Sequence, residues 1–329
     1  MALDVRLSSG EGVTFSQFFF RVHPMSIEPF SELSLPDLHE RLVVPHIDSA
    51  IDAWLAEDLG DAGDLTTDAF VAPDLEIRAE VRTRQPGVVA GLHVVMRIIE
   101  HRGGMLRVEP LAADGDVIES GTRVLEIVGP LAALLPIERV CLNILGRLSG
   151  VATMTREFVN AVEGTGTQIV DTRKTTPGLR RVEKYAVRCG GGHLHRIGLH
   201  DAILVKDNHI AMLEDGEFGP AVESSAVAAR EQSGALFIEV EVDRLEQFDE
   251  ILKLPEHLID IVLLDNMSVE DVTEAVLRRD LKRPDLILEA SGGVRLDTVR
   301  RIAETGVDRI AVGGITHSAP QIDFGLDMV

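Results

Sequence analysis

Between Asp171 and Lys206 the chain carries Arg173, Lys174, Arg180, Arg181, Lys184, Arg188, Arg196 and Lys206 against only Asp171, Glu183 and Asp201. That local excess of eight bases over three acids sits in a chain whose formal net charge is −22. A concentrated positive field in an acidic protein suits a small, highly anionic ligand. Arg180, Arg181 and Lys184 also fit a solvated basic helix. Arg173, Lys174 and Lys206 do not, because they directly follow the short apolar runs IVD and AILV. Charges placed where a buried strand ends usually face a ligand.

The later strand candidates end in the same way. Glu239 and Glu241 are two apart and share one strand face. Glu241 and Asp265 offer hard oxygens that suit magnesium beside a pyrophosphate; a salt bridge to Lys174 or Lys206 is the competing use of such acids. Ser291-Gly292-Gly293 and Gly313-Gly314 follow two further strands. Glycine lets backbone N–H groups approach a phosphate closely, although simple left-handed turns would also call for it. His193, His195, His200 and His209 raise the question of zinc, but no sulfur or carboxylate clusters beside them. A histidine next to Arg196 is expected to donate to an anion instead.

The elements that must hold these residues are legible from periodicity. Six short apolar runs, at 168–171, 202–205, 237–242, 259–265, 286–290 and 309–313, alternate with helical segments. That pattern indicates parallel β-α units and a (β/α) barrel of about six strands, incomplete against the usual eight. A doubly wound open sheet is the rival, weakened because no G-x-G-x-x-G follows the first strand. Upstream, Ile47, Ile51, Trp54 and Leu55 recur at helical spacing, and a helix there should stop by Gly60. An acidic glycine-rich turn, a half-exposed strand over 75–84, a helix over 94–100 and glycine-punctuated strands over 114–129 follow. Helix and strands segregate here, as in a small α+β domain. A long helix is expected from Leu134 to Val162, with Ile137, Cys141, Ile144, Leu148 and Val151 as its apolar stripe. Pro136 would sit in its first turn, Gly146 and Gly150 predict unwinding or close packing, and Arg139 lies off the stripe.

The bulk numbers exclude several classes. The 329 residues are 45% hydrophobic and 26% charged, ordinary for a globular protein. No apolar run approaches the roughly 18–20 residues of a membrane span, and the first residues lack the basic start and apolar core of a signal peptide. The acidity argues against nucleic acid. Two cysteines, Cys141 and Cys189, cannot build a metal cluster and read as buried residues of a reducing compartment, so the cytoplasm is expected. Residues 1–35 show little periodicity and are expected to be a loosely ordered extension, with Met25 as an alternative start.

The segments DTRKTTPGLR (171–180), KYAV-R-C-GGG-HxHR-GL-D (184–201) and KDNH (206–209) together resemble the quinolinate phosphoribosyltransferase family. The likeness runs from about Leu38 to Met328. It implies an N-terminal α+β sandwich domain over 36–141, onto which the tail 319–329 packs back, and a catalytic barrel over 142–318. It implies transfer of ribose 5-phosphate from phosphoribosyl pyrophosphate to quinolinate, with decarboxylation, in NAD synthesis. The resemblance assigns quinolinate to Arg173, His195, Arg196 and Lys206, with Arg139 reaching in from the partner of a homodimer. It assigns phosphoribosyl pyrophosphate to Lys174, Lys206, Glu241 and Asp265, with Mg2+ on Glu241 and Asp265, and the 5-phosphate to Ser291, Gly292, Gly293 and Gly313. His317, just after the last glycine step, is added as a phosphate contact. The alternatives are a same-fold enzyme for another acceptor, either a molybdenum-associated paralogue or a nicotinate-using enzyme, and a catalytically silent phosphate-binding regulatory protein.

Overall fold

The computed structural model describes residues 30–101, 104–211 and 216–329. The expectation of a loosely ordered extension lies outside the described residues as far as residue 29. From Phe30 onward the chain is tied to the barrel side: the buried Ser31 hydroxyl accepts the Leu194 N–H at 2.8 Å, and Arg188 donates to the Leu33 carbonyl at 3.3 Å. The helix Val44–Leu59 ends at Gly60, whose φ of 51° suits glycine.

Among the described residues, five strands precede the long helix: β1 (Glu76–Thr83), β2 (Gly87–Val88), β3 (Arg107–Pro110), β4 (Val117–Ile118) and β5 (Arg123–Pro130). One face of β1 buries Ala79, Val81 and Thr83, as period-2 packing requires, while Glu80 on the other face is covered by Arg82 and Arg123. After the six barrel strands comes β12 (Phe324–Met328), which returns to pair antiparallel with β1, Ala79 facing Met328 and Thr83 facing Phe324. The resulting antiparallel sheet has the order β12-β1-β5-β3.

The long helix runs from Leu131 to Ala161. It begins three residues earlier than its apolar stripe predicts, because LAALL is a strong helix-forming lead, so Pro136 falls beyond the first turn and inside the helix. Gly146 and Gly150 mark close packing, not unwinding. A Cβ at Gly150 would stand 2.0 Å from the Pro320 carbonyl oxygen, and one at Gly146 2.7 Å from that of Ile322. The chain crosses the helix there on its way to β12, and Ile322 N–H donates to the Gly146 carbonyl at 3.0 Å.

The barrel strands are β6 (Gln168–Val170), β7 (Ile203–Val205), β8 (Ile238–Val242), β9 (Ile261–Asp265), β10 (Ile287–Ser291) and β11 (Arg309–Ala311). They form one parallel sheet in the order β6-β11-β10-β9-β8-β7. The first two strands in sequence are thus its two edges, and the barrel stays incomplete between them. Helices cover the outside: Ile238 and Val240 line an apolar groove with Val222 and Ala226 of the helix Phe218–Gln232. The alternate residues turn inward, which sends Glu239, Glu241, Leu263, Asp265, Glu289 and Ser291 towards one interior. No helix among the described residues is long and apolar enough to cross a membrane.

Candidate active site

The loop after β6 is held by charges that sequence reasoning misjudged. Lys184, expected on a solvated helix face, is fully buried, and its Nζ donates to Asp171 Oδ1 at 2.6 Å and to the His195 carbonyl at 3.1 Å. Asp171 Oδ1 also accepts the His195 N–H at 2.8 Å. The pair therefore grips the His195 backbone from both sides. Burial pushes the Asp171 carboxyl up and the Lys184 amine down, and their mutual contact opposes both. Glu183, also buried, accepts Arg147 at 2.8 Å and the Thr176 N–H at 3.0 Å. Arg147 continues to the Ala319 carbonyl at 3.1 Å and to that of Thr316. Arg180 Nε donates to Thr175 Oγ1 at 2.9 Å. The Arg173–Thr176 loop is thus fixed from the helix beneath it. Asp171, Glu183, Lys184 and Arg147 were not picked out as site residues; the one clue was that Asp171 and Glu183 are rare acids within a basic run.

These supports open onto a cavity of about 610 Å³ at the C-terminal ends of the strands. Arg173, Lys174, His195, Arg196, Lys206, Glu241, Asp265, Ser291, Gly292 and Gly293 all line it. Arg173 Nε is buried and has no hydrogen-bond partner among the described residues. Arg196 is buried, with Nη1 on the Ala202 carbonyl at 3.0 Å; burial, and then the neighbouring Arg173, lower its pKa. A buried guanidinium with uncommitted donors is costly unless an anion meets it. Arg173 also lines a second cavity of about 750 Å³, bordered by Trp54, Arg180 and Arg181.

Lys206 Nζ donates to Glu241 Oε2 at 2.5 Å, the competing salt bridge. Asp265 Oδ2 accepts Asn266 Nδ2 at 2.6 Å. Glu241 and Asp265 stand on adjacent strands, and one carboxylate oxygen of each is engaged, Glu241 Oε2 by Lys206 and Asp265 Oδ2 by Asn266; the other oxygen of each is the one that could face an ion. Two such hard oxygens fit a magnesium ion.

The two glycine steps differ. Gly292 has φ of 100° and Gly293 60°, and a Cβ at Gly292 would stand 2.2 Å from Asn266 Oδ1. A left-handed turn therefore accounts for that step, besides any phosphate. Gly313 has an ordinary φ of −65°, so a left-handed turn does not explain it; a Cβ there would meet Lys174 Cδ at 2.8 Å. The following helices, Val299–Ala303 and Gly314–His317, are short. Little helix dipole is available, and backbone N–H groups are the donors left.

Three expected residues do not line the cavity. Gly313 lies between the Lys174 stem and the His317 ring, and His317 is exposed, its Nδ1 2.7 Å from Ser318 Oγ. Arg139 is exposed on the long helix, with Glu138 4.0 Å away. His195 lines the cavity but has both ring nitrogens engaged: Nε2 is 2.7 Å from Glu239 Oε2, and Nδ1 accepts the Arg196 N–H at 2.7 Å. The expected donation from His195 to an anion therefore has no uncommitted ring nitrogen to make it. Burial lowers the His195 pKa, but Glu239 and Glu289 outweigh it and the net direction is up. An imidazolium, however, would put protons on both sides of the Arg196 N···Nδ1 contact, so the hydrogen bonds select the neutral Nε2–H form. The zinc alternative does not converge, since His195 meets Glu239 and Glu289 and not His193.

Residues 64–149 match the family model described as quinolinate phosphoribosyl transferase, N-terminal domain, and residues 151–327 that of the C-terminal domain. The chain is 43% identical over 276 residues to the nicotinate-nucleotide pyrophosphorylase [carboxylating] of Mycobacterium leprae, covering 83% of this chain and 94% of that one. It is 37% identical over 275 residues to the probable enzyme of that name in Bacillus subtilis, covering 84% and 91%. The crystal structure of the nicotinate-nucleotide pyrophosphorylase from Ehrlichia chaffeensis superposes with a TM-score of 0.77 at 37% identity, over 85% of this chain and 98% of that one.

Proposed function

The chain belongs to the quinolinate phosphoribosyl transferase family, and from that premise we propose how its cavity works. It is a pentosyltransferase that moves the 5-phosphoribosyl group of phosphoribosyl pyrophosphate to quinolinate, with decarboxylation, in NAD synthesis. The observation that carries this is the mixed charge of one cavity: Arg173, Lys174, Arg196 and Lys206 line it together with Glu241 and Asp265, and with Ser291, Gly292 and Gly293. Such a set suits two polyanions and a divalent ion together.

Arg173 and Arg196 hold the two adjacent carboxylates of the flat pyridine ring, for which forked guanidinium donors are matched in shape. Lys206 lies between the acceptor and the ribose. Arg139 comes from the partner of a homodimer and closes the acceptor side next to Arg173. The 5-phosphate rests on the backbone and hydroxyl of Ser291-Gly292-Gly293, with Gly313 and His317 at its margin. Glu241 and Asp265 would hold Mg2+, which when bound supplies charge neutralisation for the pyrophosphate. As the ring nitrogen bonds to C1 of the ribose, the C1–O bond to pyrophosphate breaks and its electron pair leaves with that group. Lys174 and Lys206 stabilise the leaving charge. The C2 carboxylate then departs as carbon dioxide. Its electron pair stays at C2 beside the cationic nitrogen, and C2 takes a proton from water. The product is nicotinate mononucleotide. The two free, buried cysteines support the expected cytoplasmic setting.

The test supplies the full chain with quinolinate labelled at the C2 carboxyl, phosphoribosyl pyrophosphate and magnesium chloride. Labelled carbon dioxide and nicotinate mononucleotide in equal amounts are expected, and a chelator should stop both. Turnover of nicotinate in place of quinolinate would overturn the acceptor assignment. Turnover of neither would overturn the enzyme reading.

A further inference from the structure

At and beneath the cavity floor lies a layer of charge with no role in the scheme above: Glu289 on β10, which lines the cavity, with Glu239 on β8 and Arg309 on β11, at 0%, 0% and 2% exposure. A carboxylate in such a place is costly unless paired. Arg309 Nε stands 3.0 Å from Glu289 Oε2. Glu239 spends Oε2 on His195 Nε2 at 2.7 Å, while its Oε1 is buried without a hydrogen-bond partner among the described residues. His195, Glu239 and Glu289 are close enough to suggest metal ligands. The Nε2–Oε2 hydrogen bond leaves no space for an ion between those atoms, and Arg309 already supplies the cation.

A carboxylate can only accept. Glu239 therefore accepts the hydrogen bond from Nε2–H, which keeps the proton on Nε2 and leaves Nδ1 as a bare lone pair, as the Arg196 N–H requires at 2.7 Å. The Nδ1–H tautomer would set two N–H groups against each other across that distance. We propose that Glu239 is a positioning residue for the acceptor site: by fixing the Nε2–H tautomer of His195, it anchors the Arg196 backbone and so aims the Arg196 guanidinium. The inference rests on the function proposed above, and deepens it by naming what orients the acceptor clamp.

The test compares Glu239→Gln with Glu239→Leu in the full chain. Gln keeps an accepting oxygen in the same shape and should hold the acceptor KM within about threefold of wild type, whereas Leu should raise it roughly tenfold or more, the scale of one buried hydrogen bond left unmade. The KM for phosphoribosyl pyrophosphate should stay within about twofold in both. A purely structural role would lower Tm and the active fraction while leaving both KM values in place; that outcome, or an equal rise in both, overturns the proposal. Imidazole 15N spectra of the wild type, assigned by the signal lost in His195→Gln, should show the neutral Nε2–H form. An Nδ1–H or doubly protonated His195 overturns the proposal even if Glu239→Leu does not fold. If the wild type turns over no pyridine dicarboxylate, the function reading fails, and the tautomer still decides this inference.

Discussion

Lys184→Met tests whether the basic run is a solvated surface or a buried framework. In the structure Lys184 and Asp171 are both fully buried and 2.6 Å apart. Among the described residues, removing the amine leaves Asp171 Oδ1 with the His195 N–H alone and Oδ2 with no hydrogen-bond partner, as it has none now. Breaking a buried pair in this way costs about 3–5 kcal/mol. For a domain of this size that lowers Tm by roughly 6–20 °C. The penalty should depend on pH. Burial raises the Asp171 pKa even with Lys184 present, and without the amine it rises further. A carboxyl whose folded pKa lies above its unfolded value binds its proton more tightly when folded. Its stabilising effect is therefore full at low pH and lost as pH climbs through the folded pKa. Circular-dichroism melts at pH 5.5 and pH 8 should show the variant closer to wild type at the lower pH. Adding Asp171→Asn should recover most of the loss at pH 8, because the amide oxygen still accepts the His195 N–H. A surface lysine predicts a change within about 0.5 kcal/mol and no such pH trend; that result would refute the buried-framework account.

Lys206→Met should cut turnover by roughly 10²–10³, with Tm close to wild type because the lysine is exposed; steady-state rates and a melt check both. Gly150→Ala, whose Cβ would stand 2.0 Å from the Pro320 oxygen, should destabilise by about 1–3 kcal/mol and loosen the approach to β12, read as faster exchange of the Arg84 amide, which donates to the Asp323 carbonyl at 2.8 Å. Arg139→Ala and Arg173→Ala should each be inactive alone. If the site is shared across a two-fold axis, mixing the two chains should restore roughly a quarter of wild-type activity, since half the dimers are mixed and each keeps one intact site. No recovery after confirmed subunit exchange would count against the shared site.

The alternation of short apolar runs with helices, and the polar residues closing each run, needed no tertiary information. Strand period and β-α spacing are local properties, so β6 to β11 and the charges at their ends could be located along the chain. The motifs from Asp171 to His209 carried the family as well. What a charge does at its position was decided only by folding. Lys184 looks like any basic helix residue, yet its partner lies 13 positions away and both are dry. His195 looks like an anion donor, but Glu239, 44 positions on, takes one ring nitrogen while the Arg196 amide takes the other. Gly146 and Gly150 leave unwinding and close packing both open until Ile322 and Pro320 cross them. Burial and pairing are sums over neighbours drawn from distant segments, so residue type alone could nominate these groups but not divide them into those that meet a ligand and those that brace the ones that do.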